Sequence, residues 1–216
     1  MLTKYALRIA LLVAAVGFNS VVRAVNVRDP GVHSVIKAQI GDTWDRVVHN
    51  STLKLKPLDN PLGTVINQPH TLVYRDPHHP MQFDNVGYTG VSLDYKSHRI
   101  QDFGIGPYRE SSGVNETWGR LEDVIKKMEQ AGWIPDEERN KRNRGAKSAE
   151  QLRAQYAELP GGAKGVERFW YDQYGNEAWV SLVKTITDGR AVDEPRFNVV
   201  LQIQVATHPK KFTSER

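Results

Sequence analysis

At 216 residues and 39% hydrophobic content the chain can bury one substantial core or two small ones. It has no cysteine, which excludes disulfides, thiolate chemistry and a lipidated N-terminus. The formal charge of +4 includes Lys4, Arg8 and Arg23; without these, 26 basic residues face 25 acidic ones, too even a balance for the positive field behind non-specific nucleic-acid binding.

The chain opens as an export signal does. Met1 to Arg8 carries Lys4 and Arg8 and no acid, Ile9 to Phe18 is an unbroken apolar run, and Val22-Arg23-Ala24 offers a small residue at the cut. The apolar run is about half of the roughly 20 residues that a membrane-spanning helix needs. Residues 1–24 are therefore expected to be a cleaved signal peptide, leaving a periplasmic protein that begins at Val25 and has no stable membrane insertion.

After Ile40-Gly41, Asp42 or Thr43 can cap a short helix whose apolar stripe is Trp44, Val47 and Val48. Thr71 to Tyr74 has the composition of a strand. Val91, Leu93 and Tyr95 alternate with polar residues as a half-buried strand does, with Ile100 to Ile105 as the return partner through a turn at Ser97-His98. Asn85 to Gly90 is expected to be a loop or bulge. Gly106-Pro107 and Glu110 to Gly113 are turn-rich, which places a boundary near residue 110.

Beyond that boundary Trp118, Leu121, Val124, Ile125, Met128 and Ala131 line one helix face, and Gly132 ends it. Asp136 to Lys147 carries eight charges and no large apolar residue, the pattern of a mobile solvated loop. Ser148 with Gln151 forms a capping box ahead of Leu152, Tyr156 and Leu159, and Pro160-Gly161-Gly162 stops that helix. Arg168 to Tyr174, a Gly175-Asn176 turn and Glu177 to Ile186 make a hairpin, and Phe197 to Ala206 is a last strand. The order predicts an α+β fold, antiparallel sheets with helices packed on one face, in two similar halves spanning 25–110 and 111–216.

The run Ile40-Gly41-Asp42-Thr43-Trp44 leading to Val47, followed by Val91-Ser92-Leu93-Asp94-Tyr95 and Arg99-Ile100, resembles small envelope domains of the BamE and β-lactamase-inhibitor-protein type. The likeness covers about a third of the mature chain, which lacks both the lipobox cysteine of the first family and the disulfides of the second. It implies a fold that presents a sheet face and loops to another protein.

Catalytic signatures are few. The chain has no G-x-S-x-G, no H-E-x-x-H and no glycine-rich phosphate loop with a lysine, and Gly104-Ile105-Gly106 runs into Pro107 where a dinucleotide-binding helix would open. Asp76, His78 and His79 are the residues nearest to a metal set. The prolines at 77 and 80 restrict that backbone to a tight turn, and adjacent side chains diverge, so the expectation is structure rather than metal and no cofactor.

The richest aromatic cluster is Phe169-Trp170-Tyr171 with Tyr174 and Trp179. Alternation separates Phe169 and Tyr171 from Trp170, Asp172 and Tyr174. A charge at Asp172 prefers water, so Trp170, Asp172 and Tyr174 are the expected partner-binding set. Together these features point to a non-enzymatic, exported protein-binding module, an inhibitor or immunity protein against a toxic or lytic envelope enzyme. The alternatives are a metal- or carboxylate-dependent hydrolase using Asp76, His78 and His79, and an accessory of a cell-envelope machine.

Overall fold

The computed structural model describes residues 34–58, 60, 62–143, 145–157, 159–185 and 195–206; the expected signal peptide and its cleavage site lie outside them. In chain order the elements are β1 (Val35–Ala38), α1 (Trp44–Asn50), β2 (Gly63–Ile66), β3 (His70–Tyr74), β4 (Met81–Val86), β5 (Tyr88–Leu93), β6 (Ile100–Gly106), α2 (Val114–Gln130), β7 (Ile134–Pro135), α3 (Glu137–Arg142), α4 (Ala149–Tyr156), β8 (Lys164–Tyr171), β9 (Asn176–Lys184) and β10 (Phe197–Val205). Helices and largely antiparallel sheets make an α+β fold, as expected; the exception is β1, which runs parallel to β3.

Two sheets form, one of three strands in the order β1-β3-β4 and one of seven in the order β2-β5-β6-β10-β9-β8-β7. The expected boundary near residue 110 falls between β6 and α2, and β6 pairs with β10 across it, Phe103 opposite Ile203 and Ile105 opposite Leu201. Residues directly opposite in an antiparallel ladder share a face. The row Val91, Phe103, Ile203, Ala178 and Trp170 therefore lies on one side of the large sheet, and every member is at most 3% exposed. The three-stranded sheet reaches this side, where the Tyr74 ring meets Phe103 edge-on at 5.8 Å.

α2 joins the same core through Val114, Leu121, Val124 and Met128, all buried, each stabilising by about 1.5–3 kcal/mol relative to exposure. It ends in a Schellman motif. Gly132, at φ +84°, donates to the Glu129 carbonyl and Trp133 to that of Met128, which folds Trp133 back into the core. α1 is capped by Thr43, whose hydroxyl accepts from Arg46 N–H, while Asp42 accepts from Gln39 N–H and Arg75 instead. In α4 the box is displaced by one residue. Ser148 accepts from Gln151 N–H, but the Gln151 side chain accepts from Lys147 N–H.

The segment Asn85 to Gly90 holds a bulge, where Asn85 takes a positive φ of 52° and the β3–β4 register shifts by one residue, but most of it is strand, in β4 and β5. Two sequence expectations change. α4 ends at Tyr156 rather than reaching Leu159, with the Lys184 ammonium donating to the Tyr156, Ala157 and Leu159 carbonyls. The charged segment 136–147 holds a helix, α3, whose stabilising residues are polar. Asp136 caps it through Arg139 N–H, and buried Asn140 clasps the edge of β8, accepting from Phe169 N–H at 2.8 Å and donating to its carbonyl at 3.0 Å.

That amide satisfies the Phe169 N–H and gives the Phe169 carbonyl a second donor beside the Asp136 N–H at 2.9 Å. Asn140→Ala should lower unfolding free energy by about 1–3 kcal/mol, the cost of leaving the Phe169 N–H unpaired. Exposed Lys141→Ala should stay within about 0.5 kcal/mol. Denaturant melts of the two variants make the comparison.

Candidate functional site: an open sheet face

The other side of the seven-stranded sheet is polar and aromatic. One row across it reads Val65, Gly90, Gly104, Gln202, Trp179 and Phe169, and the next reads Ser92, Asp102, Gln204, Glu177, Tyr171 and Ile134. Phe169, Tyr171 and Trp179 are partly exposed, and Val65 and Ile134, at its two edges, are each 40% exposed. A Cβ built on Gly104 meets no atom within 4 Å, so the space above the sheet is open there. Beside it the Tyr88 ring lies across Gly106, whose Cβ would sit 2.4 Å from that ring.

The charges of this face are arranged by one another. Glu177 accepts from Arg139 at 2.8 Å and from Gln204 at 2.6 Å, and the Arg139 guanidinium stacks 4.0 Å over Phe169. Asp102 is bonded to Gln202 and Ser92, yet its Oδ1 has no partner. Burial pushes its carboxyl from 3.8 up to about 6, against the pull of those bonds and of Lys164, whose ammonium burial pushes down.

The expected binding set does not share this face. Trp170 is fully buried on the opposite side and Asp172 is 2% exposed. The inference from charge fails because Asp172 sits just beyond β8, where its carboxylate accepts from Tyr174 N–H at 2.8 Å, Asn176 N–H at 2.7 Å and Asn176 Nδ2 at 2.6 Å. Those donors replace water. Phe169 and Tyr171, expected inside, face out with Trp179. Tyr174 is exposed, in the β8–β9 turn.

The fold does bring Tyr174 and Asp172 to the β3–β4 turn. The Tyr174 ring stacks on His78 at 4.0 Å, and its hydroxyl shares a hydrogen bond of 2.9 Å with His78 Nδ1. His79 is buried beneath, between Trp133 and Asp172. Asp76 spends one oxygen on the backbone N–H groups of His78 and His79. Among the described residues no three histidine or acidic side chains converge as metal ligands. Two hollows flank α2, the larger of about 400 Å³ against Phe83, Tyr108 and Lys127.

The raised Asp102 carboxyl makes a signed prediction. Its folded value lies above the unfolded one, so the folded state binds the extra proton and Asp102's contribution to stability falls as pH rises from about 4 to 6. Asp102→Asn should therefore match the wild type near pH 4 and exceed it by up to about 3 kcal/mol at pH 7. A stability difference between the two that does not grow with pH would contradict this assignment.

The chain matches no family model, no curated protein and no solved structure, so what this face can bind is argued from its own geometry.

Proposed function

We propose that the protein is an exported binding module that engages another protein of the cell envelope, as an inhibitor or immunity factor against a toxic or lytic enzyme there. The open face of the seven-stranded sheet carries this reading. It offers Phe169, Tyr171 and Trp179 side by side, and aromatic side chains supply most of the energy at the centres of protein interfaces. Its polar members are held in place, Glu177 by Arg139 and Gln204, so little side-chain freedom is left to lose on docking. The signal-like residues 1–24 supply the compartment, and a periplasmic site follows from them.

The hydrolase alternative has less support. Its three candidate residues sit in a turn where Asp76 is engaged by backbone and His79 is buried with Nδ1 on the Ala131 carbonyl, at 3.0 Å.

The test is affinity recovery from periplasmic extract of the source cells, with the chain from Val25 as bait. One protein should be retained in near-stoichiometric amount. Replacing Tyr171 and Trp179 together by alanine should weaken that capture by about 30-fold or more, the equivalent of about 2 kcal/mol at a central aromatic position. The variant's melting temperature should stay close to that of the wild type. Equal capture by the two baits would refute the role of this face.

A further inference from the structure

Asp102 and Gly104 form a dent in the polar side of the seven-stranded sheet, apart from its aromatic end. Both lie on that side of β6, and Gly90 of β5 pairs with Gly104, so two neighbouring strands carry no side chain there. A Cβ at Gly104 would meet nothing within 4 Å. Ser92 and Asp102 border the dent along one row, the Tyr88 ring across Gly106 borders it along the other, and Gln202 stands opposite Gly104. Its polar atoms are of one kind. Gln202 and Ser92 spend their donors on Asp102, which leaves the Gln202 side-chain carbonyl and the Ser92 oxygen as acceptors beside Asp102 Oδ1, itself buried without a partner. Lys164 acts on Asp102 through charge alone, and burial pulls its ammonium toward the neutral form.

We propose that this dent receives the guanidinium of an arginine side chain from the partner protein, hydrogen-bonded to Asp102 Oδ1 above the glycine floor. The proposal rests on the sheet face as the docking surface and adds the chemistry of what docks. A site made of acceptors calls for a ligand made of donors, and a guanidinium has no acceptor to leave unpaired. The charge fits as well. Burial that pushes the Asp102 carboxyl up to about 6 is the cost of an unpaired anion, and an arriving cation offsets it. The flat guanidinium also sheds water more readily than an ammonium and lies well against aromatic rings, which Tyr88 and, beyond Gln202, Trp179 supply. Arg139 does not compete, since Glu177 and the Phe169 ring hold it.

The test is a titration of the protein with N-acetyl-arginine amide, followed by nuclear magnetic resonance of its backbone amides. Saturable shifts should gather at Gly90, Asp102, Gly104 and Gln202. The citrulline analogue, which has the same shape without the charge, should bind about tenfold more weakly or worse, and so should the arginine probe to Asp102→Asn. Gly104→Val fills the room with a strand-forming side chain, and should abolish binding while the melting temperature holds. Free arginine should bind no more tightly than the blocked form. No shift at these amides, equal affinity for the citrulline analogue, or undiminished binding by Asp102→Asn would overturn the proposal. Tighter binding of free arginine would also overturn it, by marking a site for the small molecule. The probe needs no partner protein, whereas capture by the Tyr171 and Trp179 variant reads the aromatic end, so failure of one is distinct from failure of the other.

Discussion

The pairing of β6 with β10 is the constraint from which the rest of the molecule follows. These strands lie nearly a hundred residues apart in sequence, and their ladder places Phe103 and Ile105 beside Ile203 and Leu201. Once that register is set, the β5–β6 and β9–β10 ladders extend it in both directions, and five fully buried or nearly buried side chains from Val91 to Trp170 line up under α2 and the small sheet. A slip of one residue would turn Asp102, Gln202 and Gln204 into the core. The burial of one face and the polarity of the other are thus one decision. The second face carries its polar and aromatic residues because that register turns them away from the core row.

Much of this was legible along single elements. The α2 stripe, the Gly132 stop, the Ser148 cap and the alternation of β10 are local patterns, and each element stands close to where its spacing places it. Residues that depend on a distant partner were not legible. Asp172 has a charge, and a charge taken alone belongs in water; its three N–H donors exist only once the β8–β9 turn closes. The same blindness hid α3, which is stabilised by Asp136 and Asn140 rather than by an apolar stripe. In both places a satisfied polar group does what sequence reading reserves for a hydrophobic one.

The candidate site follows the same division. Trp179 and the Phe169 to Tyr171 run stand out by composition, but which of them face outward depends on register. Asp102 carried no signal on its own, since an acid in a strand becomes notable only when Ser92, Gln202 and Lys164 surround it. Gly104 in β6 likewise gains meaning from Gly90 opposite it and from the room above it for a side chain. The two turns that hold His78, His79, Asp172 and Tyr174 lie nearly a hundred residues apart and belong to different sheets, the first to the three-stranded one and the second to the seven-stranded one.

The central claim is that the seven-stranded sheet buries the row from Val91 to Trp170 and leaves the aromatic end of its other face, at Phe169, Tyr171 and Trp179, partly exposed, and hydroxyl-radical footprinting of the folded protein tests it most directly. Trp179 and Tyr171 should be oxidised at rates near those of surface aromatics, while Trp170, one residue from Tyr171 in sequence, stays protected until the protein unfolds. Rapid oxidation of Trp170, or protection of Trp179 and Tyr171 equal to that of Trp170, would contradict the account.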